Sequence, residues 1–315
     1  MFSGSTNFVD SVDSVFLLIF GISGVLLAVV TFFMVYFIIK YNRKKNSTPK
    51  DIPGNVVLET ICTVIPVILV LIMFYFGWYG FKPMREVPKD AMKVKVTARM
   101  WSWLFEYENG KQSDVLNLPI GKPVRLNLDS LDVVHSFYIP AFRIKQDAVP
   151  SLKNYLWFIP EKAGSYDIFC SEYCGQRHSY MLTKVVVMEQ DKFNEWYGRE
   201  KEKPEAATAE EKETPAREAE QGKELLKLKG CTACHTTDGK PSAGPTLKGL
   251  FGSKVTVLTG GRERVIAADE EYIYNSILDP NADIVKGFQP IMPAQKGLIT
   301  DKEIAEITEY LKQLK

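Results

Sequence analysis

Two thiols, one imidazole and one thioether fall within the run CSEYCGQRHSYM in the middle of the chain. They belong to Cys170, Cys174, His178 and Met181. Soft donors of this kind, together with imidazole, select copper, zinc or an iron–sulfur cluster rather than magnesium or calcium. A structural zinc site of two Cys and two His is the competing interpretation, but the nearest second imidazole, His135, lies far upstream, and zinc has no use for a thioether. Copper electron-transfer sites commonly take a weak axial Met, so the spacing favours copper.

A second group of metal-binding side chains lies nearer the C-terminus, in the run CTACH. Cys231, Cys234 and His235 form the C-x-x-C-H signature of covalent c-type haem attachment, in which the thiols take the vinyl groups and the imidazole binds the iron. A redox C-x-x-C is the alternative, but the immediate His disfavours it. Met292 is the one methionine after this motif, and its loop PIMPA resembles the axial-Met loop of class I cytochromes c, whose Met/His ligation raises the haem potential. By the same resemblance the carbonyl of Pro245 steadies His235.

Composition limits the class of protein. The 315 residues leave room for two or three domains. The formal net charge of +1 does not suggest nucleic acid or another polyanion as a partner. Of the five Cys, four lie in the two metal motifs and Cys62 lies in an apolar run. The cysteine pattern therefore indicates metal binding rather than a disulfide scaffold.

Two strongly apolar segments precede the motifs, at about 15–39 and 56–81. Each exceeds the ~20 residues that a helix needs to cross a hydrocarbon core about 30 Å thick, so both are predicted to span a membrane. The residues before the first segment carry Asp10 and Asp13 as charges, with no basic region of the kind that begins a cleaved signal peptide. The positive-inside rule puts both termini outside and the loop between the segments inside. That loop holds Lys40, Arg43, Lys44, Lys45 and Lys50.

From about residue 92 the pattern changes to short segments with period-two alternation, separated by Gly and Pro. Several short strands at such spacing predict a β-sandwich or barrel. The run WSWLFEY at 101–107 adds an aromatic-rich strand, whose default role is core packing and cross-strand pairing. The other predicted strands cover 92–98, 124–129, 155–159, 165–170 and 182–188.

The last third of the chain separates into a charged segment and a helical domain. Residues 198 to about 219 are rich in Glu, Lys, Ala and Pro and contain almost no large apolar side chain. Such a stretch cannot offset its chain entropy by burial, which predicts a flexible tether. Helical spacing of apolar residues follows at 220–229 and 301–314, on either side of the haem motif, and predicts a small α domain.

The run C-S-E-x-C-G-x-x-H-x-x-M, together with His135 in DVVHSFYIP, resembles the dinuclear copper (CuA) centre of cytochrome c oxidase subunit II. The resemblance implies a cupredoxin-like Greek-key barrel in which the copper loop joins the last two strands. It also implies two coppers bridged by two thiols, with one copper completed by an imidazole and a thioether, and the other by an imidazole and a backbone carbonyl. The bridging thiols would be Cys170 and Cys174. His135 and Met181 would complete one copper, and His178 and the backbone carbonyl of Glu172 would complete the other.

The same resemblance implies roles for three further side chains. Trp101 matches the first Trp of the family's aromatic strand, near the surface where electrons enter. The carboxylate of Glu172 would reach a magnesium site shared with the catalytic subunit, the alternative being a solvent-facing acid. Glu59 would lie at the cytoplasmic mouth of a proton-uptake path, or else simply at the membrane interface. One departure is Ser151, where the family commonly has Gly, and a different turn is expected there.

The sequence thus predicts a multidomain membrane protein. Its parts are a two-helix transmembrane hairpin (1–90), an all-β cupredoxin-like CuA domain (91–197), a charged flexible linker (198–219) and an all-α class I cytochrome c domain (220–315). We expect it in the bacterial inner membrane with two spans, and with both termini and both metal domains on the periplasmic or outer side.

The resemblance implies subunit II of a haem–copper terminal oxidase, the electron-entry subunit of an oxidoreductase. Electrons would pass from cytochrome c or another redox donor through the chain's own haem c and the CuA centre to the haem of subunit I, where oxygen is reduced to water and protons are pumped. Subunits I and III and membrane lipid would be its partners, and nucleic acid would not. The alternatives are the copper subunit of a nitric-oxide-reducing relative, a quinol-oxidase subunit, whose relatives lack the copper ligands, and a membrane-anchored zinc module.

Overall fold

The computed structural model describes residues 4–44, 46–48, 51, 53–198 and 215–315. The chain divides into two units, residues 1–89 and 90–315. Lys45 and Lys50 of the predicted inner loop, and most of the predicted linker, lie outside the described residues.

The first unit contains two long apolar helices, α1 (Val9–Lys40) and α2 (Val56–Met84). Both are long and apolar enough to cross a membrane, with a mean hydropathy of 2.7 over their most apolar windows. They run antiparallel, since Gly80 near the end of α2 lies against Ser11 near the start of α1. The first helix begins earlier than predicted because apolar content marks the lipid-facing length of a helix and not its polar first turns.

The β domain (residues 90–198) begins the second unit and is a sandwich of two five-stranded sheets. Its strands are β1 (Met92–Arg99), β2 (Ser102–Tyr107), β3 (Gln112–Ser113), β4 (Leu116–Pro119), β5 (Val124–Ser130), β6 (His135–Ile139), β7 (Ile144–Ala148), β8 (Asn154–Phe158), β9 (Gly164–Cys170) and β10 (Leu182–Met188), followed by helix α3 (Gln190–Gly198). The sheet orders are β3-β2-β1-β5-β8 and β4-β10-β9-β6-β7. The β1–β5 and β4–β10 pairs are parallel. The six strands predicted from the sequence are confirmed.

Period-two burial explains why these segments pair as a sandwich. Along β5, Val124, Leu126 and Leu128 point into the core, while the residues between them are partly exposed. Phe105 of β2 and Phe137 of β6 meet edge to face inside it, with ring centroids 6.2 Å apart. One apolar face on each sheet thus gives the two sheets a shared core.

The pairing of β6 with β9 brings distant metal-binding residues to one end of the sandwich. Phe137 of β6 lies opposite Cys170, the last residue of β9. His135 is the first residue of β6 and therefore lies beside that thiol. The amide of Cys170 donates to the carbonyl of Met181, 3.2 Å away, which closes the loop between β9 and β10.

The C-terminal domain (residues 215–315) is built on three helices: α4 (Pro215–Leu228), α5 (Glu270–Leu278) and α6 (Asp301–Gln313). Helix α6 begins with a capping box between Thr300 and Glu303. The predicted helices on either side of the haem motif are confirmed. Their apolar faces share a core of Leu225, Leu226, Leu247, Ile273, Ile299, Ile304, Ile307 and Leu311.

A small antiparallel sheet in the C-terminal domain was missed by the sequence analysis. Its strands are β11 (Lys254–Thr259), β12 (Arg262–Ala267) and β13 (Ile284–Val285), in the order β12-β11-β13. Gly260 and Gly261 form the turn with φ of 56° and 83°. Two consecutive residues with positive φ are typical of a tight hairpin, so the Gly-Gly pair between alternating segments was the available signal.

The turn at Ser151 keeps a glycine-like conformation. Its φ is 65°, in the left-handed region that favours glycine. The different turn expected from the departure at this position is therefore wrong: the serine adopts the conformation at a strain cost of about 1–2 kcal/mol.

Gly222 allows α4 and α6 to cross at close range. A Cβ atom at this position would overlap the carbonyl oxygen of Glu306 and lie 2.6 Å from its carbonyl carbon. The obstacle is helix backbone, which cannot rotate away as a side chain could.

We expect Gly222→Ala to destabilise the C-terminal domain by about 1–3 kcal/mol, because overpacking outweighs the helix-propensity gain of up to about 1 kcal/mol. Thermal unfolding of the full chain followed by far-UV circular dichroism measures the change. Gly198→Ala is the matched control, since a Cβ there meets nothing within 4 Å. Equal stability of the two variants would contradict the close crossing.

Candidate functional site

All five side-chain ligands predicted for the copper site meet at one end of the β domain. The thiols of Cys170 and Cys174 lie 3.7 Å apart, Sγ to Sγ. Nδ1 of His135 lies 3.8 Å from Sγ of Cys170, and Nδ1 of His178 lies 3.4 Å from Sγ of Cys174. The thioether sulfur of Met181 is 3.9 Å from the Cys174 sulfur. Donors from two strands and one loop therefore converge on a single small volume.

The separations fit a metal centre. Donors arranged tetrahedrally around an ion at about 2.3 Å, the length of a metal–thiolate bond, lie about 3.8 Å apart. The donor atoms of His135, Cys170 and Cys174 all lie within 4.8 Å of one another, the one such group found among the described residues. The carbonyl oxygen of Glu172 is 3.2 Å from the Cys170 sulfur. With the second imidazole and the thioether, the donor set exceeds the four ligands of one zinc ion and suits a dinuclear soft-metal site.

Asp132 fixes the orientation of the His135 ring. Its Oδ1 lies 2.7 Å from Nε2 of His135, and it also accepts the backbone amides of Met100 and Val133 at 2.6 and 2.7 Å. Burial disfavours the charged imidazole, yet the bonds to Asp132 and Cys170 outweigh burial and raise the pKa of His135 to about 9. Without metal the ring is therefore protonated at both nitrogens, with Nε2–H on the carboxylate and Nδ1–H facing the thiols. A bound metal ion would replace the proton on Nδ1 without turning the ring.

The two thiols differ in their readiness to ionise. Burial opposes thiolate formation at Cys170, but hydrogen bonds from His135 and from the backbone amide of Ser136 lower the pKa of this thiol. Burial, together with the neighbouring charge of Cys170, raises the pKa of Cys174. In the absence of metal the pair therefore favours one thiolate, at Cys170, and a bound cation is needed to ionise both.

The haem motif lines an apolar cavity of about 230 Å³ in the C-terminal domain. Cys231, Cys234 and His235 form part of one wall and Met292 lies in the same lining. The remaining lining is mostly aliphatic and includes Leu226, Leu247, Ile273, Ile277, Val285 and Leu311. An apolar slot with two thiols, an imidazole and a thioether fits a covalently attached haem.

The imidazole of His235 is held in the orientation that iron ligation requires. Its Nδ1 donates to the carbonyl oxygen of Pro245 at 2.8 Å, which leaves the Nε2 lone pair free. Burial lowers the pKa of His235, so the ring is neutral. A Cβ on Gly244 would lie 2.7 Å from Cε1 of the ring, so only glycine lets this loop pass so close.

Family comparisons cover most of the chain. Residues 1–78 match the transmembrane domain of cytochrome c oxidase subunit II, residues 110–189 match its periplasmic domain, and residues 219–315 match cytochrome c. Cytochrome c oxidase subunit 2 of Alkalihalophilus pseudofirmus is 31% identical over 296 residues, which cover 90% of this chain and 82% of that protein. The chain belongs to the cytochrome c oxidase subunit II family.

One further relative and one solved structure are also similar to this chain. Cytochrome c oxidase subunit 2 of Bacillus subtilis is 31% identical over 305 residues, covering 89% of this chain and 82% of that protein. The crystal structure of the periplasmic domain of subunit II of cytochrome oxidase from Bradyrhizobium japonicum is 31% identical, covers 36% of this chain and 95% of that one, and has a TM-score of 0.34.

The predicted architecture of this subunit II is confirmed. Two apolar helices anchor it, a cupredoxin-like β domain follows, and a cytochrome c domain ends the chain. These domain types imply a CuA centre and a c-type haem, and the residues at both sites fit those groups. The assignment of individual ligands, Met292 included, stays a prediction.

Trp101 lies inside the subunit, at 4% exposure, rather than at an open surface. Its indole N–H donates to the carbonyl oxygen of Cys174 at 3.0 Å. A Cβ on Gly175 would lie 3.2 Å from the indole, so this glycine permits the close contact. The resemblance placed Trp101 near the surface, and the structure connects it to the copper loop by a hydrogen bond instead. Its role in electron entry stays a prediction.

The two acidic residues singled out from the sequence are exposed. Glu172 lies in the copper loop, outside the cluster of His135, Cys170 and Cys174, so the magnesium site has no support among the described residues. Glu59 lies in the first turn of α2. Its assignment to a proton path stays a prediction.

Sequence reasoning missed Asp132. It also missed Arg99, a buried side chain whose hydrogen bonds join the β domain to the C-terminal domain. The signal for Asp132 was its position three residues before His135, because a carboxylate commonly holds the second nitrogen of a ligand histidine. Arg99 had no local signal, since its partner Gln295 is 196 positions away.

We expect Asp132→Asn to weaken copper binding about 10–100-fold, because the ring loses the charged partner that fixes its tautomer. Competition with a copper chelator on the full chain measures the affinity. Asp167→Asn is the matched control, an exposed carboxylate on the strand that ends at Cys170. Unchanged retention of copper by the Asp132 variant would rule out this supporting role.

Replacing Met292 by Leu should leave the haem covalently attached but lower its midpoint potential by on the order of 100 mV, because axial ligands set haem potentials over a range of about 0.8 V. Redox titration of the haem absorbance gives the potential. Met188→Leu, at the end of β10, is the control. A potential equal to that of the control would exclude Met292 as the axial ligand.

Proposed function

We propose that the chain is the electron-entry subunit of a proton-pumping haem–copper oxidase. Electrons from a cytochrome c or another redox donor would pass through the haem of the C-terminal domain and the CuA centre to the haem of subunit I, where oxygen is reduced to water. The family assignment and the fit of both sites support this function.

One observation carries the proposal: the two sites adjoin within the second unit. Met100 of the β domain lines a cavity of about 50 Å³ together with haem-site residues. The peptide bond joins Met100 to Trp101, whose indole is hydrogen-bonded to the carbonyl of Cys174. A path of covalent bonds and one hydrogen bond thus leads from Met100, at the border of the haem site, to a copper ligand. The haem-site residues that line the same cavity as Met100 are Cys231, Cys234, His235 and Met292.

The chain's own residues serve electron transfer by keeping both sites rigid. When bound, the haem and the CuA centre each take up and release one electron. Asp132 holds the His135 imidazole at the copper site, and the carbonyl of Pro245 holds the His235 imidazole at the haem site. Groups fixed in advance do not have to reorient when the charge of the site changes, which lowers the barrier to transfer.

The loops that carry the copper ligands present an apolar surface, which we assign to subunit I. Large side chains there are exposed, up to 76% for Tyr173. Exposed apolar side chains on loops that lead to one site are typical of a protein interface. The members of this surface are Leu131, Val133, Val134, Tyr173, Tyr180 and Leu182. We place the chain in the bacterial inner membrane with both metal domains outside, an orientation that the basic loop after α1 supports. Subunit III completes the proposed complex.

Electron paramagnetic resonance with metal analysis on the oxidised full chain tests this function. The expected result is copper hyperfine structure from one electron shared over two nuclei, beside a low-spin haem signal. Cys174→Ser should abolish the copper signal and leave the haem signal. Cys62→Ser is the control, a thiol outside both sites. Bound zinc with no copper signal would overturn the electron-transfer function of the β domain.

A further inference from the structure

Arg99 is buried where the β domain meets the C-terminal domain. It is the last residue of β1 and only 6% exposed. Its Nε donates to Oγ of Ser102 at 3.2 Å within the β domain. Its other two nitrogens reach the C-terminal domain: Nη1 donates to Oε1 of Gln295 at 3.1 Å, and Nη2 donates to the carbonyl oxygen of Leu228 at 3.3 Å. One guanidinium therefore joins the two domains.

The acceptors of Arg99 lie beside the haem ligands. Leu228 is three residues before Cys231, and Gln295 is three residues after Met292. Gln295 is itself buried, and its amide group is fixed by a bond from Nε2 to the carbonyl of Pro293 at 3.0 Å. The contact thus positions the two segments that carry the predicted haem ligands, both of which line the haem cavity.

The backbone at Gly230 is shaped for the same contact. Gly230 immediately precedes Cys231 and has φ of 72°. A Cβ there would overlap Oγ of Ser102 and lie 3.2 Å from Nη2 of Arg99. Only glycine combines this conformation with such a close approach between domains.

Neutral hydrogen-bond acceptors make this contact directional. Among the described residues, no carboxylate lies within ion-pair distance of Arg99. Burial lowers the pKa of its guanidinium, and the more distant charge of Asp132 offsets only part of that effect. A buried guanidinium is costly unless its donors are satisfied, and here neutral acceptors on the C-terminal domain satisfy two of them. Separation of the domains would remove these two acceptors and leave the donors to water.

A second contact lies on the copper loop. Arg177 donates to Oγ of Ser242, in the loop between His235 and Gly244. The two arginines thus contact the C-terminal domain from β1 and from the copper loop, and buried Trp101 follows Arg99 by two residues.

We propose that Arg99 is the positioning residue that docks the haem domain onto the CuA domain in the arrangement used for electron transfer. The partner of this surface is the chain's own C-terminal domain, held through Leu228, Gly230 and Gln295. The inference rests on the proposed function, since it assumes that electrons pass between the two sites.

The test uses the full chain with both metal groups bound. The haem is reduced by a light flash in the presence of a photoreductant, and reduction of the copper centre is followed by absorbance. We expect Arg99→Gln to slow this step at least tenfold, while the copper resonance signal and the haem midpoint potential stay unchanged. Arg125→Gln is the matched control, because Arg125 stacks on Tyr155 within the β domain at 4.5 Å.

A double-mutant cycle tests whether Arg99 and Gln295 act through the same contact or affect electron transfer independently. Gln295→Ala should slow transfer as Arg99→Gln does, and the double variant should be no slower than either, because both remove the same contact. If Arg99→Gln fails to fold, Gly230→Val tests the interface from the other domain, with the same slowing expected. Transfer at the control rate in the interface variants, or a double variant slowed by the product of the single effects, would overturn the proposal. Absent copper or haem signals in the unaltered chain would instead overturn the proposed function.

Discussion

The carboxylate of Asp132 is the contact on which both metal sites depend. One oxygen holds the imidazole of His135 and the other holds the amide of Met100, the residue that borders the haem site. Burial would ordinarily favour the protonated acid, but these hydrogen bonds lower the pKa of Asp132 and keep it ionised. The position of a copper ligand and the position of the haem-facing loop are thereby set by one charge.

The contact between the two domains is polar, and this affects what it can do. Neutral acceptors satisfy Arg99, and a hydroxyl satisfies one donor of Arg177. Interfaces between domains of one chain resemble transient protein interfaces, and a polar one is compatible with separation of the domains. The shape of the interface adds to its specificity. Gly230 has no side chain, and the side chain of Ser102 therefore packs closely against it.

Local patterns predicted the parts of the fold that depend on local sequence. Period-two burial located the strands, and the resemblance of the Cys170 loop located the copper site. The sheet of β11, β12 and β13 was missed because the apolar spacing around it was taken for part of a helical domain. The burial of Trp101 and the Arg99–Gln295 bond could not be predicted, since they depend on how two domains pack and no periodicity records such packing.

The register of β6 on β9 gives the copper site a further property. Side chains alternate across a strand, so a slip of β6 by one residue would turn His135 to the opposite face, away from Cys170. A chain paired in the wrong register lacks a ligand and binds copper weakly. Bound metal stabilises only the arrangement that binds it. Copper binding therefore favours chains whose strands pair in the correct register over chains whose strands do not.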